Sequence, residues 1–281
     1  TEQVAEAAND WLRTGRSLDE TNELIKNSMI LSKIGMIDTG DATQYLVSAL
    51  NGYKLSAESA LEVISKLSNV DMNAAVSAGG IAEAMSRTAT SADQAGVSID
   101  RLIGMIATMK DVSQASDERV GTAIKSIVSR YSQVKANKYK DYETGEDLSN
   151  VETVLKKVGV QIRDNLTDFR DLDDVLGDLA KKYNSLTSVD QYAISTALFG
   201  TQQGETGKVL LSNWDKVQEL TDISANSSTE AMDKFSAYTD TLQAHVNSLT
   251  ASYEHLASVV ADSEFLKGAA DAASGFLDVI S

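Results

Sequence analysis

The chain has 281 residues, 41 acidic against 25 basic side chains, a formal net charge of −16, and neither cysteine nor proline. Missing cysteine removes disulfide frameworks, thiolate metal sites and cysteine nucleophiles, and the acidic balance opposes phosphate-backbone binding, which needs clustered cations. Average usage near 5% would supply roughly a dozen prolines; because helix interiors exclude proline while sheet edges and turns use it, long helical coverage is expected.

The opening TEQVAEAANDWLR has neither an initiator Met nor the basic-then-apolar plan of a signal peptide, so the chain is expected to be cut from something longer. No run approaches the length of a membrane span, and a soluble segment is expected. Helical stripes at spacings of three and four then follow one another. Ala42, Tyr45, Leu46, Ala49 and Leu50 mark one face; Ile81, Ala84, Met85 and Thr88 a second; Ile99, Leu102, Ile103 and Ile106 a third. Val120, Ala123, Ile124, Ile127, Val128, Tyr131 and Val134 mark a fourth. Capping boxes of the S-x-x-E/Q type are expected at Ser17 with Glu20, Ser149 with Glu152, Ser188 with Gln191 and Ser227 with Glu230. A weak internal echo relates Leu46–Leu67 to Ala82–Met109, each reading helix, polar turn opening on serine, helix.

Residues 135–150, KANKYKDYETGEDLSN, carry no apolar stripe and are expected to form an exposed loop. A short helix through Val151, Val154, Leu155 and Val158 follows, then a strand-like alternation over Gly159–Arg163 whose return arm is Phe169 and Arg170. Leu172, Val175, Leu176, Leu179, Ala180 and Tyr183 resume the helical pattern, followed by Ile194, Ala197 and Leu198 up to Gly200. Glycines 200, 204 and 207 are expected to form a turn before a helix over Val209–Leu220. Beyond Ser227, Phe235, Tyr238, Leu242, His245, Leu249, Ser252, Leu256 and Val259 alternate at three and four residues. That is a coiled-coil seam of about 28 residues and roughly 40 Å, a candidate surface for self-association.

The fold expected is therefore mainly all-α: short capped helices with one small β-hairpin, leading into a long coiled-coil-like helix. It divides into a bundle over 1–134, the loop 135–150, a hairpin and further helices over 151–225, and the long helix with an amphipathic C-terminal helix over 226–281. No catalytic cluster announces itself. His245 and His255 are too far apart for the i, i+4 arrangement of a helical zinc site, and Asp164, Asp168, Asp171, Asp173, Asp174 and Asp178 lack calcium-loop spacing. Asp171, Asp173 and Asp174 read instead as the cap and first turn of a helix. Gly79-Gly80 has no phosphate-loop context and reads as packing. Neither cofactor nor metal is expected. The C-terminal stripe Phe265, Leu266, Ala269, Ala270, Ala273, Phe276, Leu277 and Ile280 suits helix packing better than membrane insertion, for want of basic flanks.

Three stretches together resemble the core region of phage tail tape measure proteins. They are TGDATQYLVSALNGYKLSAESALEVISKLSNV (39–70), TSADQAGVSIDRLIGMIATM (90–109) with GTAIKSIVSRY (121–131), and LKKVGVQIRD with FRDLDDVLGDLAKKY and ALFGTQQ (155–203). The resemblance spans roughly Thr39 to Trp214. It implies a structural ruler that sets tail length, scaffolds the tail tube and leaves at genome delivery. It further implies residence in the virion tail, after assembly in the host cytoplasm, and contacts with tail tube protein, tail assembly chaperones and distal tail or baseplate proteins. A homo-oligomer through the C-terminal helix is expected, with membrane contact only in a longer protein. The alternatives are a prophage-encoded helical toxin or pore former, and a fused cell-wall hydrolase.

Overall fold

The computed structural model describes residues 11, 18–165, 167–228, 231–237 and 240. Thr1–Phe235 makes one unit and Ser236–Ser281 a second. In the first, the helices are α1 (Leu18–Gly35), α2 (Thr39–Gly52), α3 (Ala60–Asn73), α4 (Ala78–Ser86), α5 (Ala89–Gln94) and α6 (Ile99–Ser113). They continue as α7 (Asp117–Lys135), α8 (Val151–Lys157), α9 (Leu172–Tyr183), α10 (Ser188–Ser212) and α11 (Trp214–Ala225), with a 3-10 turn at Ala57–Ser59. Among the described residues there is no sheet; Lys140 with Asp147 and Arg163 with Phe169 form isolated antiparallel bridges. The second bridge is the expected hairpin reduced to its smallest form, closed by Arg170 N–H to Ile162 O at 3.1 Å and Asp164 N–H to Asp168 O at 3.0 Å.

The early helices are joined by one recurring connector. A left-handed residue ends the helix, the next residue is apolar and returns a hydrogen bond five residues back, and a Ser or Asp then opens the following element. It occurs as Met36-Ile37-Asp38, Lys54-Leu55-Ser56 and Gly96-Val97-Ser98, with Ile37 N–H to Ser32 O at 3.1 Å, Leu55 N–H to Leu50 O at 2.8 Å and Val97 N–H to Ala92 O at 3.0 Å. The second and third connectors are the turns that make Leu46–Leu67 and Ala82–Met109 echo each other. Ser77, Ser98 and Ser116 accept first-turn N–H groups from Gly80, Arg101 and Arg119.

The expected capping boxes fare differently. Ser188 is already helical; the cap is Thr187, whose extended backbone lets Oγ1 accept the Asp190 N–H at 3.2 Å while donating to the Asp190 carboxylate at 2.8 Å. Helix α8 starts after Asn150 without a side-chain cap, so Ser149 caps nothing. Ser17 and Glu230 lie outside the described residues.

The stripes on α2 and α7 face the core as expected: Ala42, Leu46, Ala49 and Leu50 on the one, and Val120, Ala123, Ile124, Ile127, Val128, Tyr131 and Val134 on the other, are buried. Helix α6 departs from a single stripe. Every residue from Leu102 to Met109 is buried, because α3, α4, α5, α7, α10 and α11 all pack around it. Gly79 lets α4 press on α1, since a Cβ there would stand 2.5 Å from the Gly35 carbonyl oxygen, which agrees with the packing reading of Gly79-Gly80. Leu148, Val151, Leu155, Val160 and Ile162 join the same hydrophobic cluster as α1–α7. The core thus runs on past residues 135–150.

Candidate functional site at the helical hairpin

Helix α10 is two helices joined at one residue. Gly200 (φ 80, ψ 166) breaks it, a backbone region that is essentially glycine-only. The turn expected over 200–207 is therefore confined to Gly200, and Gly204 and Gly207 are helical. Their lack of a side chain serves approach instead: a Cβ at Gly207 would stand 2.1 Å from the Phe199 ring, and one at Gly204 lies 3.8 Å from Ser195. Along a straight helix Ser195 and Gly204 would be about 13 Å apart, so the two arms fold back on each other. The helix expected over Val209–Leu220 is likewise split, by Asn213, between α10 and α11.

The bend rests on a buried ionic cluster from α7 and the 136–150 loop. The Arg130 side chain is only 2% exposed. Its Nε lies 3.1 Å from Asp141 Oδ2 as an ion pair without hydrogen-bond alignment, Nη2 bonds Glu146, and Nη1 donates to the Ala197 carbonyl at 3.4 Å. The Glu146 carboxylate also accepts the Thr201 N–H at 3.3 Å and its hydroxyl at 2.5 Å. Ser126 Oγ donates to the Phe199 carbonyl at 2.8 Å. Asp141 organises the loop tip by accepting the Glu143 and Thr144 N–H groups at 2.9 and 3.1 Å. The loop is exposed along most of its length, as expected, but it is pinned at Asp141, Glu146 and the buried Leu148.

One residue further along α7, the Tyr131 hydroxyl donates to the Arg170 carbonyl at 2.7 Å and lies 3.4 Å from that of Ile162, and burial pushes its phenol pKa well up. The three segments LKKVGVQIRD, FRDLDDVLGDLAKKY and ALFGTQQ thus all meet α7, at Ser126, Arg130 and Tyr131. A cavity of about 340 Å³ opens beside the bend. Its cations are already paired, Lys125 with Glu143 at 3.0 Å and Arg87 with Glu83 and Glu118, and the arrangement holds backbone in place.

Burial alone would raise the Glu146 pKa, but the hydrogen bonds from Thr201 and Arg130 outweigh it and hold the carboxyl below its ordinary 4.5. Asp111, bonded by Lys216, and Asp178, bonded by Arg170, are lowered as well. Depressed carboxyls contribute stability above their unfolded pKa and lose it as pH falls through the folded one. Asp173 opposes them: burial raises it more strongly than Arg101 lowers it. The urea midpoint is therefore expected to hold from pH 7 to about 5 and to fall below it, and Glu146→Gln is expected to flatten that fall.

Of the self-association seam, Phe235 is described and is half-buried against the hydrophobic core. Tyr238, Leu242, His245, Leu249, Ser252, Leu256 and Val259 lie outside the described residues, as do His255 and the C-terminal stripe. Among the described residues no cluster of His, Cys, Asp and Glu is fit to hold a metal ion, and no helix is long and apolar enough to cross a membrane. Sequence reasoning missed Arg130, although a signal existed: it stands three residues after Ile127 and four before Val134, a charge on the apolar stripe.

Residues 1–200 match the family described as phage-related minor tail protein. The chain belongs to that family. No solved structure matches it. As a minor tail protein it is a structural component of the phage tail, from a family whose members are generally not enzymes, and it has other tail proteins as its neighbours. The matched residues contain α7, the pinned loop and the first arm of α10, so the ionic cluster belongs to the family region of this tail protein.

Proposed function

We propose that this minor tail protein is a tape measure segment, which sets tail length, scaffolds tail tube assembly and is released at genome delivery. The observation that carries the reading is the convergence of the tape-measure-like segments on Ser126, Arg130 and Tyr131 of α7. The residues that carry the resemblance hold one another in place rather than lining a reactive cleft. In this reading the unit Thr1–Phe235 is a folded head, and the seam beyond it pairs copies of the chain. Its partners are the tail tube protein, tail assembly chaperones and distal tail or baseplate proteins, met in the host cytoplasm during assembly and in the virion tail afterwards.

The test is tail length. Inserting about 28 residues in heptad register after Val259, in the phage that carries the protein, is expected to lengthen tails by about 42 Å if the added chain is helical. Electron micrographs of purified virions give the measurement. Tails of unchanged mean length in virions that contain the lengthened protein would sink the proposal.

A further inference from the structure

Gly200 alone among the 25 residues of α10 has non-helical backbone angles. Glycine reaches helical and left-handed angles with equal ease, so one residue's rotation separates the observed hairpin from an unbroken helix of about 37 Å. The bend frees specific backbone groups. In a continuous helix the Thr201 N–H would bond the Ala197 carbonyl, and the Gln203 N–H the Phe199 carbonyl. In the hairpin three of these groups find partners elsewhere: Glu146 takes the Thr201 N–H, Arg130 the Ala197 carbonyl and Ser126 the Phe199 carbonyl. The cluster thus substitutes for part of what the bend breaks.

A cavity of about 180 Å³ remains between the arms, lined by polar groups such as Ser188, Ser195, Glu205 and Lys208. Phe199 against Gly207 is the close apolar contact across it. Part of what holds the arms together is therefore external to them. The geometry points to α10 as a two-state hinge, closed as a hairpin in the bundle and open as one continuous helix, with the 136–150 loop as its latch through Glu146 and Asp141. Closed is the resting state, since opening withdraws the buried Phe199, Leu210 and Leu211 from the core. A partner that covers those residues, or one that draws the loop away, opens it. The hinge stands on these atoms and not on the tape measure reading.

The chain has no cysteine, so Tyr192→Cys with Lys208→Cys places two spin labels specifically. Both positions line the inner cavity of the hairpin, whereas along a continuous helix they would be about 24 Å apart. Gly200→Ala acts against the closed state twice: alanine resists φ 80, and its Cβ would meet Arg130 Nη2 at 2.7 Å. Glu146→Ala releases the latch and leaves the glycine untouched. Electron-electron distance measurements are expected to show one short separation in the parent, and a population near 24 Å in each variant, with helical circular dichroism retained. If Gly200→Ala loses its helicity, Glu146→Ala alone decides. A folded Glu146→Ala protein that keeps only the short separation overturns the hinge, and so does a parent whose main population already lies near 24 Å.

Discussion

Arg130→Met is expected to destabilise the protein by about 3–5 kcal/mol, the usual cost of removing one partner from a buried ion pair. Methionine fills much of the same volume, so the loss is electrostatic rather than a packing defect. It leaves the Asp141 carboxylate, whose side chain is only 5% exposed, facing an apolar wall without its cation, and strips the Ala197 carbonyl of its donor. The double variant Arg130→Met with Asp141→Asn should recover part of the loss, because asparagine still accepts the Glu143 and Thr144 N–H groups and no unpaired charge remains. Urea denaturation of the two single variants and the double makes a mutant cycle. A single-variant loss under about 1 kcal/mol would mean that the cluster does not hold the bend.

Ala107→Lys is expected to prevent folding at ordinary temperatures, while Val112→Lys on the same helix should change stability by no more than about 0.5 kcal/mol. Ala107 is completely buried in α6, with Met105 and Thr108 buried beside it, so an ammonium there has neither water nor a partner. Several kcal/mol of desolvation against a total stability of about 5–15 kcal/mol is enough to unfold a domain. Val112 is 43% exposed near the end of the helix. Thermal melts followed by circular dichroism separate the two. The contrast separates the enclosed middle of α6 from its exposed end. A folded Ala107→Lys protein with a near-normal melting temperature would show that α6 is not the enclosed helix described above.

The helices of this protein were legible because their causes are local. A buried face repeats every three to four residues, and α2, α7 and α9 bury Leu46, Ile124 and Leu176 where that period puts them. The residue that closes a helix was harder to read. Met36, Lys54 and Gln114 adopt left-handed angles although none is glycine, so composition gave no warning of those helix ends. At Ser188 the box was offset by one residue because Thr187 offered the same chemistry one position earlier.

The candidate site was half legible. ALFGTQQ stood out in the sequence and Gly200 was rightly read as a stop, but nothing near it in sequence announces Arg130, Asp141 or Glu146, which reach it across long separations. Gly204 and Gly207 read as turn residues because a glycine required by its backbone angles and a glycine required by a neighbour look alike in a sequence. Only the Phe199 ring against Gly207 tells them apart.

By itself, then, the sequence determined a mainly helical chain without proline or cysteine, since propensity, period and exclusion act within a few residues. The tertiary structure decided which helix is enclosed on every side, why the 136–150 loop is pinned rather than free, and that α10 folds back on itself. Those outcomes depend on which surfaces meet. A charge such as Arg130 is tolerable in the core only when Asp141 and Glu146 arrive there too, a condition set by packing in three dimensions and written in no local stretch of the chain.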